Sequence, residues 1–468
     1  MTSSTTHSPV AEEPRAASRG TLGLTQATAL IVGSIIGVGI FSLPGSLAAY
    51  GPISLFAMAL TTIGALALAL MFARMSARMP ADGGPYAYAR TAFGNLTGFS
   101  NAWLYWITAW AGNAAIVVGW VLYVEEFINK SQDKLGSILI ALLGLWIPAA
   151  INLSGVKNMG SVQVWTSILK FVPLVFMSTV GLLFISSGNF HPWNISGESN
   201  MSAIGGAMAL CLFSYLGVET AAVAAAKVRD PDRNVPRSTI LGTLATAAVY
   251  LLSLIAVFGI VSSSDLAKSN APYATAVNSI FGGTWAGNLM AILVIVSGFG
   301  ALNGWTMICA EMPLAASSDG LFPTRFGAIT RQGVPAFGII ASTVLASVAM
   351  IFAYMGTAGY TVFNTLVFMT GITAAIPYAF SALAQIKWRI QDNRALKTPR
   401  FVRDVVVAVV ALIFSVLFIW YSRNTGNVWW KEWLPFIFAG AAFVLGIPVY
   451  LAQRTRMTEP QPVPPYRS

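Results

Sequence analysis

The chain has 468 residues, of which 56% are hydrophobic and only 9% charged, with a mean hydropathy of +0.69. Soluble domains carry about 25% charged residues, so a soluble domain of this size is excluded and a polytopic, all-α membrane protein is indicated. The formal net charge of +10 does not point to nucleic acid, because the basic residues cluster where membrane topology places them.

A helix needs about 20 apolar residues to cross a bilayer. Twelve stretches meet this requirement, at 24–48, 53–75, 97–127, 135–154, 161–186, 203–226, 238–262, 285–316, 334–355, 361–386, 402–421 and 433–452. With the N-terminus inside, 21 of the 27 Lys and Arg fall in cytoplasmic segments, five fall outside, and Lys170 lies within a span. This bias places both termini in the cytoplasm and requires an even number of spans. Residues 1–22 are polar, without an apolar core behind a basic start, and read as a disordered cytoplasmic tail and not as a cleaved signal. A twelve-helix domain follows over 23–456, and 457–468, rich in proline, read as a second disordered tail.

The first stretch is interrupted by Gly33-Ser34-Ile35-Ile36-Gly37-Val38-Gly39-Ile40-Phe41. Glycine weakens a helix, and lipid offers no partner to the N–H and C=O groups so released. They must face protein, ligand or a wet cavity, and broken helices at membrane depth serve to hold small solutes. Between spans two and three, Ala81 to Arg90 read as a Gly-Gly-Pro turn followed by a short interfacial helix. Span three carries Tyr105, Trp110 and Asn113 near its middle, and span five carries Lys170, the one deep base. Ionisable groups at such depth are costly and usually functional. Lys170 reads equally as a group that exchanges a proton and as a fixed donor to the loose carbonyls of the first helix.

Span six has a second interruption, Phe213-Ser214-Tyr215-Leu216-Gly217-Val218-Glu219-Thr220, with Glu219 as the clearest intramembrane acid. Spans one and six are five apart, so inverted five-helix repeats, about 24–186 and 203–386, bring the two breaks face to face. Residues 402–452 supply two additional helices. The connector from Lys227 to Arg237 carries mixed charge and two prolines, and Trp305 follows Asn303-Gly304 in span eight. Cys211 and Cys309 lie within spans, so no disulfide-linked subunit is expected.

The breaks supply recognition of their own. A half-helix N-terminus presents free N–H groups and partial positive charge, suited to a carboxylate, and the amides of Val38 and Gly39 are the candidates. A C-terminal end presents free C=O groups, suited to an ammonium, and the carbonyls of Ile35, Phe213 and Leu216 are the candidates. Together they complement an α-amino acid. Trp305 is placed to stack on a guanidinium or cover an ammonium. His7 and His191 stand outside the spans and no phosphate-binding glycine loop is present, so neither a metal nor another cofactor is expected. No convergent nucleophile, base or ligand set indicates an enzyme, no continuous polar stripe a channel, and no soluble output domain a sensor. The expected partners are a small-molecule substrate, an amino acid or its amine, and the lipid bilayer. The oligomeric state stays open, a homodimer included.

The stretches Gly33 to Phe41, Gly84-Pro85-Tyr86-Ala87-Tyr88-Ala89-Arg90, Phe213 to Glu219, Asn234-Val235-Pro236, Gly304-Trp305-Thr306 and Ser318 to Pro323 resemble the amino acid–polyamine–organocation superfamily. The similarity runs from span one to span ten and is strongest to the basic amino acid/polyamine antiporters of the arginine/agmatine, arginine/ornithine and lysine/cadaverine type. It implies a LeuT-like fold of two inverted five-helix repeats with two appended helices, and alternating access around the breaks. It implies binding by Ile35, Val38, Gly39, Asn113, Phe213, Leu216 and Trp305, gating or proton coupling by Glu219 and Tyr105, and Lys170 in the place of a sodium ion. The chain departs from the arginine exchangers at Phe213, Val38 and Ser34, where they carry Trp, Ser and Asn, and at Thr108 and Ala109. The function implied is antiport of cationic amino acids, with proton-coupled import of neutral or broad-range amino acids, or polyamine exchange, as alternatives.

Overall fold

The computed structural model describes residues 23–80, 83–223, 228–356, 360–392, 399–423 and 429–463. The tail 1–22, the end 464–468, Ala81, Asp82 and Lys227 lie outside the described residues. The first half of the chain forms α1 (Leu24–Ile35), α2 (Gly39–Leu47), α3 (Ile53–Arg78), α4 (Pro85–Phe93), α5 (Asn95–Val124), α6 (Lys134–Leu153) and α7 (Val156–Thr179). The second half begins with α8 (Asn200–Phe213), α9 (Thr220–Val223), α10 (Pro231–Ile260), α11 (Ser263–Leu266), α12 (Pro272–Phe281) and α13 (Trp285–Ser318). It continues with α14 (Ala336–Gly356), α15 (Tyr360–Gln391), α16 (Pro399–Tyr421), α17 (Trp429–Glu432), α18 (Leu434–Val444) and α19 (Gly446–Gln453).

No strand occurs among the described residues, and eleven helical segments are long and apolar enough to cross a membrane, α1–α2 and α18–α19 each counting as one. The sixth stretch of the sequence is divided between α8, of 14 residues, and α9, of four, neither long enough alone. Part of the connector read from Lys227 to Arg237 is helical. Asp230, at φ +47°, turns the chain into Pro231 at the first position of α10, where a missing N–H costs nothing. The loop after α10 contains α11 and α12.

The packing is that of a protein dissolved in lipid. The most apolar window of α5 is 94% buried against neighbours, whereas that of α18–α19 is 17% buried, so α5 is the core and the C-terminal pair is peripheral. On α16, Val402, Val406, Val410, Ile413, Leu417 and Trp420 are exposed at the three-to-four-residue spacing of one helix face. Such a face would be costly in water and is satisfied by acyl chains. Glycines let helices close on one another. A Cβ at Gly64 of α3 would overlap the Phe414 ring of α16.

One end of the bundle is tied by ion pairs. Asp404 of α16 meets Arg74 of α3 at 2.5 Å and Arg389 of α15 at 3.0 Å. Asp392 receives two hydrogen bonds from Arg78, at 2.9 and 2.7 Å. Asp404 and Arg389 are both buried, so loss of Asp404 takes a buried counter-ion from Arg74 and Arg389 together. Asp404→Ala is expected to cost about 3 kcal/mol or more, read as a lower unfolding midpoint of the purified protein in detergent; an unchanged midpoint would contradict this network.

Candidate functional site

The first break lies between α1 and α2. Ile36 leaves the helix with φ −76° and ψ 101°, and the helix resumes at Gly39. The last carbonyls of α1 have lost their helical partners, and side chains from three helices replace them. Lys170 Nζ of α7 donates to Gly33 O at 2.6 Å. Trp305 Nε1 of α13 donates to Ser34 O at 3.1 Å. Tyr250 Oη of α10 donates to Ile35 O at 2.9 Å. Opposite them, the amides of residues 37 to 40 make no hydrogen bond to another group among the described residues.

The second break runs from Ser214 to Glu219, between α8 and α9. Gly217 there has φ +112°, and a Cβ on it would stand 3.0 Å from the Ser34 carbonyl carbon. Both the backbone conformation and the close approach demand glycine. The two breaks therefore touch, with Gly217 of one against Ser34 of the other. Gly39 makes a similar approach, its missing Cβ 3.0 Å from the Phe213 ring. Phe213 in turn packs edge-on against Phe363 of α15, with ring centroids 5.8 Å apart.

Between the breaks lies a cavity of about 20 Å³ lined by Ser34, Ile35, Gly37, Gly39, Thr108, Gly112, Ile116, Phe213, Ser214, Leu216 and Trp305. That volume holds one water molecule, so an amino acid requires the walls to part. Ile35, Gly39, Phe213, Leu216 and Trp305 thus share the cavity wall. Val38 does not reach it with its side chain, which lies against Gly119 of α5 and Gly298 of α13. Asn113 is turned to α13 instead, 3.3 Å from Thr306 Oγ1 and 3.7 Å from Cys309 Sγ, and its Oδ1 is buried without a partner.

The titratable groups stand one layer behind. Glu219 is fully buried and accepts from Tyr105 Oη at 2.6 Å. Its other oxygen has no hydrogen-bond partner. Tyr378 of α15 faces the same carboxylate but makes no hydrogen bond of good geometry. Glu219 and Tyr105 are thus brought together, while Lys170 is joined instead to Gly33 O of α1.

Sequence reasoning did not select Thr108, Gly112 and Ile116 as wall residues, although their four-residue spacing puts them on one face of α5. It also missed Tyr250, for which a tyrosine in an apolar span offers no distinguishing signal. Among the described residues no group of three or more His, Cys, Asp or Glu could hold a metal ion.

An all-helical, multi-pass membrane protein whose two interrupted helices enclose a small cavity is the class that this fold and site define. The sequence model of the family described as amino acid permease matches residues 22–445, and the chain belongs to the amino acid permease family. It is 30% identical to the cadaverine/lysine antiporter of Escherichia coli over 375 residues, covering 78% of this chain and 83% of that protein. It is 29% identical to the putrescine transporter PotE of Haemophilus influenzae, covering 84% and 90%. It is also 29% identical to the arginine/ornithine antiporter of Pseudomonas aeruginosa, covering 84% and 85%. These relatives are named as transporters, not enzymes.

Gly217→Ala is expected to destabilise the protein by about 1–3 kcal/mol, because the positive φ and the contact with Ser34 both resist a Cβ. A thermal midpoint equal to that of the wild-type protein would contradict the contact between the breaks.

Proposed function

We propose that the protein is a secondary active antiporter of cationic amino acids of the arginine, ornithine and lysine class, working by alternating access. The observation that carries this reading is the pair of touching helix breaks around one cavity, in a chain whose relatives are named for basic amino acids and polyamines. In this reading α1–α2 form the first span and α8–α9 the sixth, giving twelve spans, two inverted five-helix repeats and both termini in the cytoplasm. The substrate carboxylate meets the amides of Val38 and Gly39, which have no hydrogen-bond partner among the described residues. The ammonium meets the carbonyls of Phe213 and Leu216, and reaches Ile35 O only by sharing it with Tyr250. Trp305 covers the side chain and Asn113 completes the wall after a small turn. Glu219 with Tyr105 gates the inner side.

Lys170 fills a carbonyl position that a cation such as sodium would otherwise occupy. Exchange is therefore expected to keep its rate when sodium is replaced by choline at fixed pH; a steep dependence on external sodium would contradict that role.

A second reading, exchange or proton-coupled import of neutral amino acids, is favoured by one feature. Among the described residues no carboxylate lines the cavity to meet a cationic side chain. Counterflow in proteoliposomes separates the two. Labelled arginine should exchange with ornithine and lysine, and Trp305→Ala should weaken apparent affinity about fivefold to thirtyfold, the loss of a partly desolvated cation–π contact. Full competition by neutral amino acids with none by arginine or ornithine would overturn the cationic assignment.

A further inference from the structure

The segment that follows α19 does not leave the protein. At the end of α13, Asp319 pairs with Arg90 of α4 at 2.6 Å, and Tyr86 Oη of α4 donates to the same carboxylate at 3.2 Å. Thr458 closes over this junction. Arg90 Nη2 donates to Thr458 O at 2.7 Å and to its Oγ1 at 2.8 Å. Asn95 Nδ2 donates to Thr458 O at 3.0 Å. Thr458 N and Oγ1 both donate to Asp319 O at 3.2 Å. Beside it, Gly320 has φ +73° and lies so close to the chain that a Cβ would overlap the Arg456 carbonyl oxygen, with Met457 Cα 3.2 Å away. Met457 and Val463 pack on the apolar core. Residues 457–463, read from sequence as part of a disordered tail, thus follow a defined course, with Thr458 itself exposed to solvent.

The junction under this segment is mechanically connected to the second break. Gly83, at the start of α4, donates to Val223 O of α9 at 3.1 Å, and a Cβ on Gly84 would stand 3.3 Å from Val223 N. Glu219 lies one turn before Val223, and its carbonyl accepts from the Val223 amide at 3.0 Å. A continuous series of contacts therefore runs from Thr458 through Arg90 and α4 to α9, the short half-helix beyond the break.

We infer that residues 454–463 form an autoinhibitory strap: Thr458 clamps the Arg90–Asp319 junction, holds α4 against α9, and must lift before this end of the bundle can open. Its bonds from Asn95 and to Asp319 O are exposed and those from Arg90 part-buried; none belongs to a helix ladder, so the strap can leave without unfolding any helix. A strap of this kind sets the balance between closed and open states, and weakening it raises the open population. The consequence for transport rests on the carrier function proposed above; the clamp itself does not.

The test uses the full chain with Cys211 and Cys309 replaced by Ala and a single cysteine introduced by Ala222→Cys, a position buried in α9. Labelling by a membrane-impermeant maleimide is followed in open membrane fragments. Thr458→Val, and separately a stop after Arg456, should speed labelling about threefold to tenfold, the worth of one or two net hydrogen bonds. In proteoliposomes the same variants should raise the initial rate of counterflow while the thermal midpoint stays near that of the parent. A purely structural tail would instead lower the midpoint and slow exchange, and that result, or unchanged labelling in both variants, overturns the strap. Faster labelling without exchange of any amino acid leaves the strap standing and removes the carrier assignment instead.

Discussion

The structure depends on three hydrogen bonds to three successive carbonyls. A helix that stops inside a membrane leaves its last C=O groups unpaired, and hydrocarbon provides nothing to pair them. Here Gly33, Ser34 and Ile35 are served by Lys170, Trp305 and Tyr250. The donors come from α7, α13 and α10, so one break joins three helices. An unpaired buried carbonyl costs on the order of 1–3 kcal/mol, so these contacts make the interruption tolerable and fix where α1 ends. The amides on the other side of the gap have no such partners among the described residues. The asymmetry leaves the break with satisfied acceptors beside unpaired donors, the feature on which the proposed carboxylate contact rests.

The second break is supported differently. Its turn is held by local backbone bonds from Ser214, Tyr215 and Leu216 to the end of α8, and by Thr220 to Gly217 O. Contact with the first break is made backbone to backbone, through Gly217 and Ser34. A displacement of either half-helix is thereby felt by the other without any intervening side chain. With Glu219 following directly and hydrogen-bonded to Tyr105 of α5, the second break is also joined to the most buried helix of the bundle.

Much of this was legible in the sequence, for identifiable reasons. Length and apolarity locate spans because a bilayer has a fixed thickness, and glycine clusters locate breaks because glycine alone relaxes the helix without a steric penalty. Lys170 was legible as a deep base, and its Nζ donates to Gly33 O. What remained hidden depends on rotation and tertiary contact. Trp305 suggested a face for stacking, yet its N–H is committed to Ser34 O. Asn113 sits in the expected span but is turned toward Thr306, an orientation that no one-dimensional pattern records. Tyr250 and the course of residues 457–463 depend on partners far away in the chain, and the richness in proline made the tail read as disordered.

The central claim is that two touching helix breaks bind an amino acid through the backbone. The most direct measurement is an experimental structure of the protein in lipid nanodiscs at saturating arginine. The account expects both interruptions to persist, the cavity to widen, and the arginine carboxylate to lie within hydrogen-bonding distance of the Val38 and Gly39 amides. Helices that run unbroken through either region, or arginine bound elsewhere in the bundle, would contradict it.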